Sequence, residues 1–344
     1  MEFQLPLVFS LLTLFLAASH ATLSDPELYW KSVLPNTPMP KAVTDLLHPA
    51  DFTDEKGTAV SAGKGGVNVN SGKGNTGKGT SVGVGKGGVT VGSGGKGKRV
   101  YVGVNPGKSP FSYIYAATKT QLHDDPNVAL FFLEKDIRPG TKMTLYFTKS
   151  SNYASFLSHQ EAETIPFSSK KLPEIMSEFS ITPGSAEAVF VKQTIKECEA
   201  PSIRGEDKYC ATSLESMIDF STSKLGKDVK VISTEVDKET HKQTYTIKNG
   251  VEKTEGEKAV VCHKQNYPYA VFYCHSTQNT KSFVLSLKGA DGTKAKAVAV
   301  CHTDTSAWNP KHLAFQVLKV EPGTVPVCHF LPEDHIVWVP NHKS

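Results

Sequence analysis

The chain has 344 residues, 39% of them hydrophobic and 21% charged, with a formal net charge of +4, which suggests one large or two ordinary domains with a good core. The positive charge is local: residues 1–120 carry 12 Lys and Arg against 7 Asp and Glu, and residues 121–344 carry 26 against 27. A basic excess confined to a glycine-rich stretch without interleaved aromatics argues against nucleic acid and leaves an acidic polymer, or simple solubility, as its use.

The first 21 residues read as a secretory signal peptide. Residues 5–18 form an apolar run of 14, too short for a membrane span, and Ser19 and Ala21 are the small residues a cleavage site needs. No later stretch approaches membrane length, so the mature chain is expected to be exported and soluble, without a membrane partner. Residues 22–56 form a short N-terminal segment with helical signals. Pro26-Glu27 follow Ser24 as a helix start, and KAVTDLLH sets Val43, Leu46 and Leu47 on one side.

Residues 57–98 change texture. Sixteen of these 42 positions are glycine, GKGGVNVN recurs 22 residues later as GKGGVTVG, and the stretch holds no aromatic, Leu, Ile or acid. It lacks the apolar surface to offset its ordering entropy, so a disordered Gly/Lys-rich repeat linker is expected; as the second reading, its alternating Val-Asn-Val offers a weak strand that would pair on a partner. Residues 99–129 serve as a connecting segment, and 130–344 have the texture of one α+β domain, with helices early and strands late.

Within that domain VALFFLEKDI and KMTLYFT read as strands joined at Pro139-Gly140. LPEIMSEF and SAEAVFVKQTIKEC read as helices, the second capped by Ser185 with Ala188, Val191, Ile195 and Cys198 on one face. TSLESMIDF opens with the capping-box spacing Thr212…Glu215. Beyond Lys230 strands dominate: KVISTEV, KQTYTIK before the turn Asn249-Gly250, KAVVCH, YAVFYCH, SFVLSLK, KAVAVCH and IVWV.

Four of the six cysteines, Cys262, Cys274, Cys301 and Cys328, are each followed by histidine: His263, His275, His302 and His329. The spacing is CH-X10-CH-X25-CH-X25-CH. On a strand, adjacent residues point to opposite faces, so the sulfurs are expected on one side and the imidazoles on the other. Export favours disulfides, with connectivity open by sequence; Cys198 and Cys210, separated by a Pro- and Gly-containing loop, are the natural pair. Disulfides with ordinary histidines, mixed Cys/His zinc sites and an imidazole copper site all compete, and zinc is disfavoured because CxxC and HxxxH spacings are absent. His335 is an additional candidate ligand.

The four CH pairs at these spacings resemble the signature of the plant BURP domain, covering the chain from about Phe131 to its end. Phe131-Phe132 match the paired Phe that opens the domain, and Cys198 and Cys210 match its two internal cysteines. QLHDDPNVALFFLEKDI and CATSLESMIDFSTSKLG are similar to the dehydration-responsive branch. The resemblance implies a secreted plant protein of the cell wall or apoplast, tied to drought, salt or abscisic-acid responses, that acts through binding or structural interaction. Partners would be a wall polymer such as pectin, or a wall protein. It also implies, as the alternative, a copper-dependent oxidative peptide cyclase crosslinking Tyr or Trp of a core peptide, with copper as cofactor and His263, His275, His302 and His329 as its ligands. Residues 57–98 contain neither Tyr nor Trp, so a fused substrate is not expected there, and Tyr29, Trp30, Tyr101, Tyr113 and Tyr115 lie in no repeated context.

Overall fold

The computed structural model describes residues 25–47, 130–147, 154–238, 241–254 and 256–341, and the backbone of four strands between residues 57 and 94. The signal peptide and the connecting segment 99–129 lie outside the described residues. Two helices come first, α1 (Asp25–Val33) and α2 (Lys41–Leu47). Strands β1 (Gly57–Gly63), β2 (Gly66–Lys73), β3 (Lys78–Gly85) and β4 (Gly88–Gly94) follow and pair antiparallel in that order. The repeat shows in their register: Val69 faces Val82, which faces Val91. Where the composition predicts a linker, backbone pairing joins the alternating valine runs to one another, and these strands enter neither sheet of the domain.

The domain continues with β5 (Phe131–Leu133), β6 (Lys142–Leu145), α3 (His159–Thr164), α4 (Leu172–Glu178), α5 (Ala186–Glu199), β7 (Glu206–Ala211) and α6 (Leu214–Leu225). Next come β8 (Val229–Ile232), β9 (Glu235–Val236), β10 (Gln243–Ile247), β11 (Glu252–Lys253), β12 (Lys258–Lys264) and β13 (Phe272–Gln278). The chain ends through β14 (Thr280–Gly289), β15 (Lys294–His302), α7 (Leu313–Leu318), β16 (Val327–Phe330) and β17 (Ile336–Pro340). This is the α+β order, helices early and sheet late, that the pattern predicts.

Two antiparallel sheets result. One has five strands in the order β7-β13-β12-β17-β8; the other follows β5-β16-β15-β14-β10-β6, with β9 and β11 added to β15 and β14. The sheets meet through a band of small branched residues. Ile232, Ala259, Val261, Val337 and Val339 of the first pack on Val284, Val298, Val300 and Leu331 of the second. The opposite face of the five-stranded sheet packs on α1, α2 and α6. A separate aromatic-rich cluster, with Leu145, Tyr245, Phe283 and Phe330, covers the other face of the larger sheet. Both faces of β12 and β15 are therefore buried, which is why their sequences read as continuous apolar runs rather than as alternation.

Several local expectations shift. FFL and KMTL form strands, yet they do not pair as a hairpin: β5 joins β16 and β6 joins β10, at opposite edges of one sheet. KVISTEV divides at Ser233-Thr234, where the chain leaves one sheet for the other, and buried Thr234 bridges the step by donating to Leu331 O and accepting from Val298 N. Helix α6 is capped by Ser213 and Ser216 rather than Thr212 and Glu215, because Ser213 Oγ takes the Ser216 N–H and Ser216 Oγ takes the Ser213 N–H. Strand β16 and helix α7 are elements that the sequence pattern does not predict; VCHF is only four residues long and lacks strand context in sequence. Ser185 caps α5 by accepting from Ala188 N, with Ala188, Val191 and Ile195 buried, as the pattern predicts.

The N-terminal segment is part of the domain. Trp30, Leu34, Val43 and Leu46 sit in the cluster built around Val260, Phe272 and Trp338. Trp30 packs at a tilt against Trp338, ring centroids 5.5 Å apart, and donates its indole N–H to Thr37 O at 2.8 Å. Thr37 in turn donates its hydroxyl to Val229 O at 3.0 Å. Removing so large a buried ring leaves a void that the neighbours only partly fill, so Trp30→Ala should cost about 3–5 kcal/mol in urea denaturation. Leu28→Ala, at a position 52% exposed, should change stability by less than about 0.5 kcal/mol. Equal effects would detach the segment from the core.

Candidate functional site

The four Cys-His dipeptides lie on β12 and β13 in one sheet and on β15 and β16 in the other. Register pairs the cysteines directly: Cys262 opposes Cys274, and Cys301 opposes Cys328. Each couple forms a disulfide, at Cα separations of 3.9 and 4.0 Å, and Cys198 pairs with Cys210. All six cysteines are oxidised. The 27-residue periodicity hides unlike connections. From Cys274 to Cys301 the chain crosses between sheets, through a tight turn at Asn279 with φ +68°. From Cys301 to Cys328 it begins and ends in one sheet.

The sulfurs face outward from the sheet pair. Cys262 and Cys274 enter the helix-covered core, and Cys301 and Cys328 enter the aromatic cluster on the other side. Alternation turns the histidines the other way. His263 follows Ala259 and Val261 on the inner face, His302 follows Val298 and Val300, and His275 and His329 stand opposite Val261 and Val300. All four meet between the sheets beyond the valine band, each no more than 3% exposed.

The contacts form two couples and a fifth ring. His263 Nε2 lies 3.1 Å from His275 Nε2, and His302 Nε2 lies 3.4 Å from His329 Nε2. Across the couples, ring centroids are 5.8 Å apart for His263 and His329, and 6.3 Å for His275 and His302. His335 joins through Nδ1, 2.9 Å from His263 Nδ1. His329 Nδ1 donates to Phe330 O at 3.2 Å, which turns the Nε2 lone pair of that ring toward His302. Trp308 lies 5.2 Å from His302 and 4.9 Å from His312. His275 Nδ1 lies 3.3 Å from Glu206 Oε1.

Burial sets the electrostatics. It pushes His263 well below the ordinary histidine value, reinforced by His335, His275, His329 and His302. It does the same to His302, with His329, His275 and His312 adding to it. His329 is brought to about 3 despite its carbonyl hydrogen bond, and His335 to about 4 despite Asp334. The carboxyl of Glu206 would be raised by burial alone, but the contact with His275, with the Ile203 N–H and Tyr273 hydroxyl, holds it below its usual value. His263, His302, His329 and His335 are thus neutral imidazoles at neutral pH, the protonation state in which histidine ligates metals.

Among the described residues no three His, Cys, Asp or Glu side chains converge as a finished coordination shell; the donors stand as the two couples. Two nitrogens bound to one divalent ion at about 2.0–2.1 Å are themselves about 2.9–3.4 Å apart for bond angles near 90–110°. The two Nε2–Nε2 separations, 3.1 and 3.4 Å, have that spacing. The donor chemistry and the spacing within each couple therefore suit an imidazole-preferring ion. The sequence singles out His263, His275, His302, His329 and His335. It passes over His312, Trp308, Tyr273 and Glu206, which carry no repeated pattern; only the position of Glu206 inside the loop between Cys198 and Cys210 marks it.

A pair of sheets stapled by cross-strand cystines, with histidines gathered between them, is the setting of the CH signature, and residues 130–340 match the BURP domain model. The chain belongs to the BURP domain family. It is 51% identical to the BURP domain protein RD22 of Arabidopsis thaliana over 391 aligned positions, covering 98% of this chain and 99% of the relative. It is 56% identical over 248 positions to BURP domain-containing protein 3 of Oryza sativa subsp. japonica, covering 71% of this chain and 57% of the relative.

Alkylation of the denatured, unreduced chain should label no cysteine, and peptide mapping should return the three pairs; stoichiometric labelling at any CH cysteine would contradict this arrangement. The histidines also make stability depend on pH. Unfolded histidine titrates near 6.5, above the lowered native values, so the unfolded chain takes up more protons as pH falls. Stability is then greatest above pH ~6.5 and declines below it, by up to about 1.4 kcal/mol per pH unit for each histidine involved. Urea denaturation of chelator-treated protein between pH 7.5 and 5 should show this decline, with a shallower slope for His335→Gln.

Proposed function

We propose that this chain is an exported protein of the plant cell wall or apoplast that acts in the response to drought, salt or abscisic acid, and that its histidine cluster holds copper. The observation that supports the metal reading is the pairing of buried imidazoles between the two sheets, His263 Nε2 3.1 Å from His275 Nε2 and His302 Nε2 3.4 Å from His329 Nε2. Oxidation of all six cysteines leaves imidazole as the donor, which suits copper on the affinity order and removes the thiolates a mixed zinc site would use. Three disulfides support an oxidising destination. No helix among the described residues is long and apolar enough to cross a membrane. The stress role draws on the resemblance to the dehydration-responsive branch and the similarity to the Arabidopsis relative. Pectin, as an acidic polymer, matches the basic repeats of residues 57–98.

A second reading, oxidative crosslinking of a Tyr- or Trp-containing peptide, is favoured by the same all-imidazole donor set. Bound copper would supply one-electron redox chemistry there. In either reading the chain's own residues orient the imidazoles and shield them from bulk solvent. The repeats contain no Tyr or Trp, so the substrate would be a separate peptide.

Protein from a secretory host should carry copper near stoichiometry. Joint His263→Ala and His302→Ala substitution should weaken uptake at least about 10-fold while all disulfides remain. Because burial keeps these rings neutral, uptake should persist at pH 5.5, where a free imidazole is mostly protonated. A double variant that still binds copper stoichiometrically would place the metal elsewhere. Deleting residues 57–98 should abolish salt-sensitive retention on pectate; unchanged retention would move the polyanion site into the domain.

A further inference from the structure

We propose that Glu206 is the positioning residue of the cluster, holding the His275 proton on Nδ1 so that the Nε2 lone pair faces His263. The use of that orientation rests on the metal reading; the orientation itself does not.

A carboxylate accepts hydrogen bonds and donates none. Glu206 Oε1 lies 3.3 Å from His275 Nδ1, a close polar contact whose angle falls short of an aligned hydrogen bond, with side chains 3% and 2% exposed and so shielded from bulk solvent. An acceptor-only neighbour selects the Nδ1–H form of the ring and leaves Nε2 bare. That nitrogen lies 3.1 Å from His263 Nε2, which then donates to it. His263 Nδ1 is left to accept from His335 Nδ1 at 2.9 Å. One carboxylate thus orders three rings.

Glu206 is itself held on two sides. Tyr273 donates its hydroxyl to Oε1 at 2.9 Å, and Ile203 donates its backbone N–H to Oε2 at 3.1 Å. Both Ile203 and Glu206 lie in the loop closed by Cys198–Cys210. Strand β7 places Glu206 beside β13, with His275 opposite Lys208. Lys208 donates its ammonium to Glu197 O at 2.8 Å, a second tie between β7 and α5. The cystine whose members lack a following histidine therefore plays an equivalent part, because it staples the strand that carries the histidine's orienting partner. A carboxylate behind a ligating imidazole fixes its tautomer and raises its basicity, and losing it typically costs 10–100-fold in metal affinity.

The full chain with ¹⁵N-labelled histidine provides the test. Long-range ¹H–¹⁵N correlation on metal-free protein should show His275 as the Nδ1–H tautomer. Glu206→Ala should lose that single tautomer and weaken Cu(II) binding about 10–100-fold in chelator competition. Glu206→Gln, which keeps a carbonyl acceptor, should recover part of both. Near-UV circular dichroism and intact disulfides check the fold. An Nε2–H tautomer at His275 in the wild type overturns the proposal, as does a folded Glu206→Ala protein with unchanged tautomer and copper affinity. If Glu206→Ala fails to fold, the wild-type tautomer and the Glu206→Gln affinity decide. A wild type that takes up no copper but shows the Glu206-dependent tautomer would sink the metal reading and leave the orienting role standing.

Discussion

The period of two along a β-strand is the constraint on which this structure turns. A Cys-His dipeptide in a strand cannot send both side chains the same way. Here two sheets are placed with their histidine faces inward and their sulfur faces outward, so one sequence rule, applied four times, produces two cystines in two separate cores and one imidazole cluster between them. A slip of one residue in any of the four strands would exchange the roles, burying a sulfur between the sheets and an imidazole in the helix-covered core or among Phe330 and its neighbours.

Holding imidazole rings together in a buried space is costly unless they satisfy one another. The cluster does so by using imidazole as donor on one nitrogen and acceptor on the other, with Phe330 O and Glu206 as acceptor-only ends. The cystines oppose relaxation of each couple, because each joins the very strands whose histidines touch. Nothing covalent joins the couples across the sheets among the described residues. The valine band of Val261, Val298, Val300 and Val337 sets that spacing, so the geometry of the site depends on apolar packing some residues away from it.

Much of this is legible in the chain. The dipeptides announce the division of labour, and Ser185, Val191 and Ile195 announce helix α5. The failures share a cause. Phe131–Leu133 and Lys142–Leu145 are true strands, but their partners, β16 and β10, lie far along the chain, and no local turn signal reports a distant partner. The equal 27-residue steps suggest one repeated unit, whereas the chain changes sheets in one step and returns to the same sheet in the other. Glu206 does not stand out in sequence because it is one of two adjacent carboxylates in EDKYC and belongs to no repeated pattern; its meaning comes from the pairing of β7 with β13.

The docking of Trp30, Val43 and Leu46 into the domain changes the topology of everything between them and Leu130. The described positions that flank the repeats, Leu46 and Leu130, are both buried in the folded part of the protein, so the chain between them is anchored at two points instead of one. The entropy of closing such a connection grows only with the logarithm of its length, about 0.6 kcal/mol per doubling, so one repeat unit more or fewer between the anchors would change the cost of closure little.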